Sequence, residues 1–257
     1  MKKIKKILIT NDDGFDAIGL EILKDIAKKF SEDVYIVSPK NNQSAKSKSI
    51  TINKEIYFDK ITDYIWIVDG TPTDCVIFAL NHIMKINKPD LILSGINAGS
   101  NIGDEVSYSG TVAAAWEGAV RGINSIALSQ YGGDNTSESY TCSKKHSFDI
   151  INYLFNFKAQ SKFFFNVNFP YILSKTSHIQ KFSFTKLESQ KKGDEIIINE
   201  NSKSFRIGRM INYNKPSFQT DLDILKDNRI SITPLSLNLT NYKLLNELQK
   251  KETSYVI

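Results

Sequence analysis

Short β-branched runs alternate with helix-period stretches through residues 1–130, and this pattern constrains the chain most, because it marks βαβ units and hence a parallel sheet. Residues 7–10 read as a first strand. A helix over 18–30 follows, with Ile18, Ile22, Leu23 and Ile26 on one face, and then a second strand over 34–38 that Pro39 closes. Residues 49–68 read as an extended excursion with strands near 50–52, 55–58 and 64–68. Thr73 or Asp74 then caps a helix reaching Met84. Residues 91–93 form a buried strand, 111–121 an alanine-rich helix, and 125–129 a further strand. The expected class is α/β, a Rossmann-like layered sheet that is mostly parallel.

The second half is less regular. A helix near 147–157, a strand over 163–169, another over 229–233 and a terminal helix over 242–250 complete the core. Alternating segments at 179–187 and 195–198 read as antiparallel hairpin material. At 257 residues, one domain with an appendage is the natural division: a core over 1–130 carrying the site, and residues 131–257 completing it and adding the hairpin.

With 41% hydrophobic residues and 6 prolines the chain is neither disordered nor fibrous. Its basic start breaks at once into Asn11-Asp12-Asp13, short of a secretory core, and no apolar run approaches a membrane span. Cys75 and Cys142 are too few for a disulfide framework and lack metal-pair spacing. A cytoplasmic protein with reduced thiols is expected. The net charge of +5 is uneven, with 15 Lys/Arg against 16 Asp/Glu in residues 1–130 and 18 against 12 afterwards. The basic half would suit phosphate-rich ligands, or be solvated surface.

Loops that follow parallel strands emerge along one edge, where such sheets bind ligands. The unusual residues fall in those loops: Asn11-Asp12-Asp13-Gly14, Asn41-Asn42-Gln43-Ser44, Gly70-Thr71-Pro72-Thr73-Asp74, Ser94-Gly95-Ile96-Asn97, and onward through Asn101 and Asp104 to Ser109-Gly110-Thr111. Successive strand residues point to opposite faces, so Asp12 and Asp13 reach one ion only if the chain leaves the strand there, a turn that Gly14 permits. Ser44 and Asn97 would add neutral oxygens. An all-oxygen set suits one Mg²⁺ or Mn²⁺ ion. Either aspartate would alternatively cap the following helix. Ser109-Gly110-Thr111 opens a helix whose first-turn N–H groups suit a phosphate, and Ser109 or Thr111 would equally serve as its N-cap. A metal beside an anion hole is what phosphate-ester hydrolysis needs, with Asp12 and Asp13 as the catalytic pair. Asn42, Gly95, Asn101, Ser109, Gly110 and Thr111 make up the phosphate and substrate set.

Competing chemistries lack their residues. There is no G-x-x-x-x-G-K-[ST] or G-x-S-x-G motif. Asn81 and Phe148 stand where a cysteine phosphatase carries arginine, and His82, His146 and His178 lie outside the loops. An aspartyl-phosphate enzyme, a nucleotide- or phosphate-sensing module and a nucleic-acid binder remain as alternatives.

The chain resembles the SurE survival-protein family of 5′/3′-nucleotidases. The likeness rests on Ile9-Thr-Asn-Asp-Asp-Gly14, Asn42-Gln-Ser44, Gly70-Thr-Pro-Thr-Asp-Cys75, Ser94-Gly-Ile-Asn97 and Tyr108-Ser-Gly-Thr-Val-Ala-Ala-Ala115, and continues through Asn166-Val-Asn-Phe-Pro170, Thr220-Asp221 and Ser231-Ile-Thr-Pro-Leu235. It implies a Rossmann-like core, a C-terminal region that builds homodimers or homotetramers partly by arm exchange, and divalent-metal hydrolysis of nucleoside monophosphates. Short polyphosphates or oligonucleotide ends are further substrates to expect. Carried over by residue, the metal ligands are Asp12, Asp13, Ser44 and Asn97. Ala45 stands where the family commonly has glycine, Trp116 where methionine is usual and Glu105 where Asp is frequent; none of these removes a ligand, and Trp116 bears on substrate preference.

Overall fold

The computed structural model describes residues 3–132, 135–157, 162–171, 182–189, 191–213 and 218–252. Nine strands form one sheet: β1 (Lys6–Thr10), β2 (Asp33–Pro39), β3 (Phe58–Thr62), β4 (Ile65–Val68), β5 (Leu91–Ala98), β6 (Asn124–Gln130), β7 (Phe163–Phe169), β8 (Phe182–Phe184) and β11 (Ile230–Ser236), in the order β3-β4-β2-β1-β5-β6-β7-β11-β8. The six central strands from β4 to β7 run parallel; β3 and β11 are antiparallel to their inner neighbours. A separate hairpin pairs β9 (Lys191–Asn199) with β10 (Ser204–Asn212).

Strand β1 shows how the layers are assigned. Ile7 and Ile9 point to one face and join a core with α1 (Ile18–Lys28) and α4 (Thr141–Phe155), as period-two alternation requires. Leu8 points to the other face, into a core with α2 (Pro72–Phe78) and α3 (Gly110–Val120). With both faces covered, the middle of the strand, Ile7–Ile9, is a continuous apolar run. Helices α5 (Asp221–Lys226) and α6 (Tyr242–Glu252) and short 3-10 turns at Gly103–Ser107 and Ser137–Tyr140 complete the described elements. Among the described residues no helix is long and apolar enough to cross a membrane.

Several expectations need correction. In α1, Leu20 is buried while Ile18 is 38% exposed, so the apolar face is rotated from the expected one. Residues 50–52 are not a strand, because the Thr51 N–H and hydroxyl bond to the Asp74 carboxylate at 2.9 and 2.8 Å instead of to a neighbouring strand. Helix α2 is capped by Thr71, not Thr73 or Asp74: Thr71 accepts from the Asp74 N–H, and Asp74 accepts from the Thr71 N–H in return. The helix continues as a π turn over Ala79–Ile83. Helix α4 starts six residues earlier than expected, at Thr141. In the alternating stretch 179–187, residues 179–181 lie outside the described residues; the remainder supplies β8, which joins the main sheet parallel to β11 instead of forming a hairpin. The hairpin is built from β9 and from β10, which was not expected.

Candidate active site

Strand β1 ends at Thr10, and the chain then turns through Gly14, whose φ of +100° a side-chain-bearing residue rarely adopts. After the turn the two carboxylates take different protein partners while remaining close enough for the Asp13 charge to act on Asp12. Asp12, 3% exposed, lies against the first turn of α3: the Thr111 hydroxyl donates to Asp12 Oδ1, and a Cβ added to Gly110 would stand 2.8 Å from Asp12 Cβ. Only glycine allows this approach. Asp13 instead turns to the end of β5, where its Oδ2 accepts the Ala98 N–H at 2.9 Å.

Both carboxyls are harder to ionise than usual. Burial pushes Asp12 up to about 6, with the Asp13 charge adding to it and the Thr111 hydroxyl opposing it; burial likewise raises Asp13, opposed by the Ala98 amide. Among the described residues no cation acts on either. Nearby, the buried Thr10 and Ser94 hydroxyls and Asn11 Oδ1 have no hydrogen-bond partner among the described residues. A buried carboxylate repelled by a half-buried one, with neutral oxygens around them, fits a hard divalent cation. No cluster of three or more His, Cys, Asp or Glu occurs among the described residues, so neutral oxygens must complete such a set.

The loop carrying Ser44 is drawn to the pair by the Gln43 N–H, which donates to the Asp12 carbonyl at 2.7 Å. Within it the Ser44 N–H donates to Asn42 Oδ1 at 2.8 Å, and both side chains are exposed. Asn97 lies in β5 itself, not in a loop after it, and gives its amide N–H to the Gly99 carbonyl at 2.9 Å. Gly95 is buried in the same strand with φ +134°, and a Cβ there would meet the Leu128 carbonyl oxygen at 2.2 Å, so close strand packing demands glycine. Asn101 is held in a buried network: its N–H donates to Asn168 Oδ1, its carbonyl accepts from the Asn166 and Asn168 amides, and its side chain donates to Ser129.

Ser109 is the N-cap of α3, its hydroxyl accepting the Val112 N–H at 3.1 Å. Thr111 is fully buried and committed to Asp12. The structure therefore brings Asp12, Gly110 and Thr111 into contact and seats Asp13 beside β5, while Gly95 and Asn101 shape the backbone that leads to Ser109.

Three supporting groups lie behind the site, with parts that sequence reasoning did not assign them. The Asp74 carboxylate holds Thr51 against α2, the Thr71 hydroxyl donates to the Ser49 carbonyl at 2.7 Å, and Pro72 abuts the start of α3, its Cγ 3.1 Å from where a Gly110 Cβ would stand. Asn166 and Asn168 hold Asn101. Asp221, fully buried, accepts the N–H groups of Gly103 and Glu188 at 2.7 and 2.9 Å. Two asparagines at period two inside the apolar strand Phe163–Phe169 were the signal available for the second group.

The family model "Survival protein SurE" matches residues 7–194. A protein named 5′-nucleotidase SurE from Parvibaculum lavamentivorans is 39% identical over 252 residues, covering 94% of this chain and 88% of its own. One of the same name from Methylorubrum populi is 36% identical over 245 residues, covering 92% and 94%. The crystal structure of the SurE protein from Aquifex aeolicus superposes with a TM-score of 0.82 at 32% identity, covering 96% of this chain and 99% of that one. By family model, sequence and fold together, this chain belongs to the SurE survival-protein family.

Proposed function

We propose that the protein is a metal-dependent nucleotidase, a phosphomonoesterase that hydrolyses nucleoside 5′- and 3′-monophosphates to nucleoside and phosphate. The observation that carries this reading is the contact between Asp12 and the first turn of α3, which sets a carboxylate suited to a cation against a helix start suited to an anion. The name 5′-nucleotidase carried by the relatives supports the same activity.

Asp12, Asp13, Ser44 and Asn97 would hold one divalent ion, Mg²⁺ or Mn²⁺. Such an ion, when bound, offsets phosphoryl charge and makes water a stronger nucleophile. The chain's own residues do the rest. The Thr111 hydroxyl fixes the rotamer of Asp12, and the Ala98 N–H fixes Asp13. Asp12, the more enclosed carboxylate, orients or deprotonates the attacking water. Asn42, Ser109, Gly110 and Thr111 position the phosphoryl group, while Gly95 and Asn101 serve the site through the backbone they shape.

Residues 1–130 carry the site, and residues 131–257 complete the core and supply a surface for a homodimer or homotetramer. Short polyphosphates and oligonucleotide ends are further substrates in this reading. The buried, free Cys75 and Cys142 suit a reducing cytoplasm.

The test is phosphate release from 5′- and 3′-nucleoside monophosphates by metal-stripped protein, with Mg²⁺ or Mn²⁺ restored and Asp13→Ala alongside. Release should require metal and fall at least about a hundredfold in the variant. Nucleotide bound without release would replace the enzyme by a sensing module.

A further inference from the structure

Beyond Ser109, α3 borders a cavity of about 390 Å³, within the range of small-molecule sites. Val112 and Trp116, one turn apart on the helix, share its wall with Leu235 and Leu239, and Ser109 stands where the cavity meets the first turn of α3. The Trp116 ring is braced edgewise by Phe164, with centroids 5.9 Å apart at 67°. Over the ring, at 3.7 Å, lies the ammonium of the exposed Lys48. Lys48 follows the loop that carries Ser44, and Ser47 ties that loop to the far wall through its N–H to the Tyr108 carbonyl at 2.9 Å and its hydroxyl to the Ser107 carbonyl at 2.7 Å. The segments that frame the cavity are thus continuous with those that frame the phosphate end of the site.

We propose that this cavity receives the nucleoside of the substrate, with Trp116 as the platform on which the base stacks, and that purines are favoured over pyrimidines. The inference rests on the nucleotidase reading for its ligand class. A phosphate at the start of α3 has one ester oxygen bonded to the nucleoside, and the apolar cavity sharing Ser109 gives that group a place to shed water. The indole offers a large π face, over which a bicyclic base overlaps more than a monocyclic one. Lys48 marks that face as reachable from solvent, and a base entering there exchanges with a side chain that is otherwise hydrated.

Trp66 and Trp116 are the two tryptophans of the chain, so Trp66→Phe protein reports on Trp116 alone. Should that variant fold poorly, the difference between wild type and Trp116→Phe carries the same signal. Adenosine, which has no phosphate, should quench Trp116 emission in metal-free protein more strongly than cytidine. In parallel, Trp116→Ala should raise the KM for AMP about tenfold, raise that for CMP less, and leave glycerol phosphate within about twofold. Quenching without hydrolysis of any ester supports the cavity and removes only the nucleotidase reading. Absence of adenosine quenching at millimolar concentration, or a Trp116→Ala effect equal for all three esters, overturns the proposal.

Discussion

The edge of the sheet around Asp12 and the hairpin β9–β10 depart from ordinary burial in opposite ways. At the edge, Thr10, Asn11, Asp12, Ser94, Asn97, Ser109 and Thr111 are polar and buried. On the hairpin, Ile196, Ile198, Phe205 and Ile207 are apolar and more than half exposed. Buried polar groups cost free energy unless something pairs with them, and contiguous exposed apolar groups mark surfaces that associate. In the proposed function an ion and a phosphate would complete the edge, and another chain would cover the hairpin. Each region is unfinished in the terms of its own chemistry.

A matched pair of glycine substitutions breaks the comparison most directly. Gly110→Ala puts a methyl 2.8 Å from Asp12 Cβ and 3.1 Å from Pro72 Cγ, so the carboxylate or the helix start must move. Displacement on the scale of an ångström costs about a hundredfold in turnover, although alanine is the better helix residue by roughly 1 kcal/mol. Gly193→Ala, in β9, meets nothing within 4 Å and should leave phosphate release and melting temperature unchanged. Equal activity in the two variants would mean that the approach of α3 to Asp12 is not what the site depends on.

Titration measures the cost of the buried edge. Burial above all, then the Asp13 charge, lifts Asp12 from 3.8 to about 6. A folded-state value above the unfolded one gives a contribution to stability that is full below 3.8 and is lost as pH rises through about 6. Roughly two pKa units correspond to about 3 kcal/mol at most. In the presence of a chelator, the melting temperature of wild type minus that of Asp12→Asn should therefore fall between about pH 4 and pH 7. Mg²⁺ at neutral pH should raise the melting temperature of wild type and not of the variant. Parallel curves for the two proteins would show that Asp12 is not strained by its burial.

The same contrast explains what could be read in advance. β1 and β7 were legible because strands covered on both faces are nearly continuous apolar runs, and Asp12-Asp13 stood out because adjacent carboxylates end such a run without a neighbouring cation. β10 was not legible: Gly208 and Arg209 break the alternation that Phe205, Arg206 and Ile207 begin, and the structure answers them with a register shift between Ile207 and Met210. Nor was the direction of β8, since whether a short strand runs parallel or antiparallel to its neighbour is decided by tertiary pairing. Thr71 was passed over as a cap because Pro72 after it reads first as a turn, although proline is well suited to the first helical position. Asp221 lies 118 residues from Gly103, the N–H it holds, a separation that no local pattern reports.

The smallest expected effect on the fold, and the sharpest test of the second region, comes from the hairpin. Its register pairs Phe205 with Ile198 and Ile207 with Ile196, and directly opposed residues lie on one face, so these four side chains form a single apolar patch. A two-stranded ribbon is marginal alone in water, and such a patch has most to gain from burial against a second copy. Phe205→Glu combined with Ile207→Glu places two charges on it without removing a contact in the protein's core. The variant should keep the melting profile of the core to within about 0.5 kcal/mol. If the proposed homo-oligomer forms through this patch, light scattering should find the variant at monomer mass and below the mass of wild type, because a carboxylate cannot be buried unpaired at an interface. A variant that keeps the wild-type mass would show that the patch does not join copies, and the exposed isoleucines of β9 would then need a different explanation from the buried polar groups of the edge.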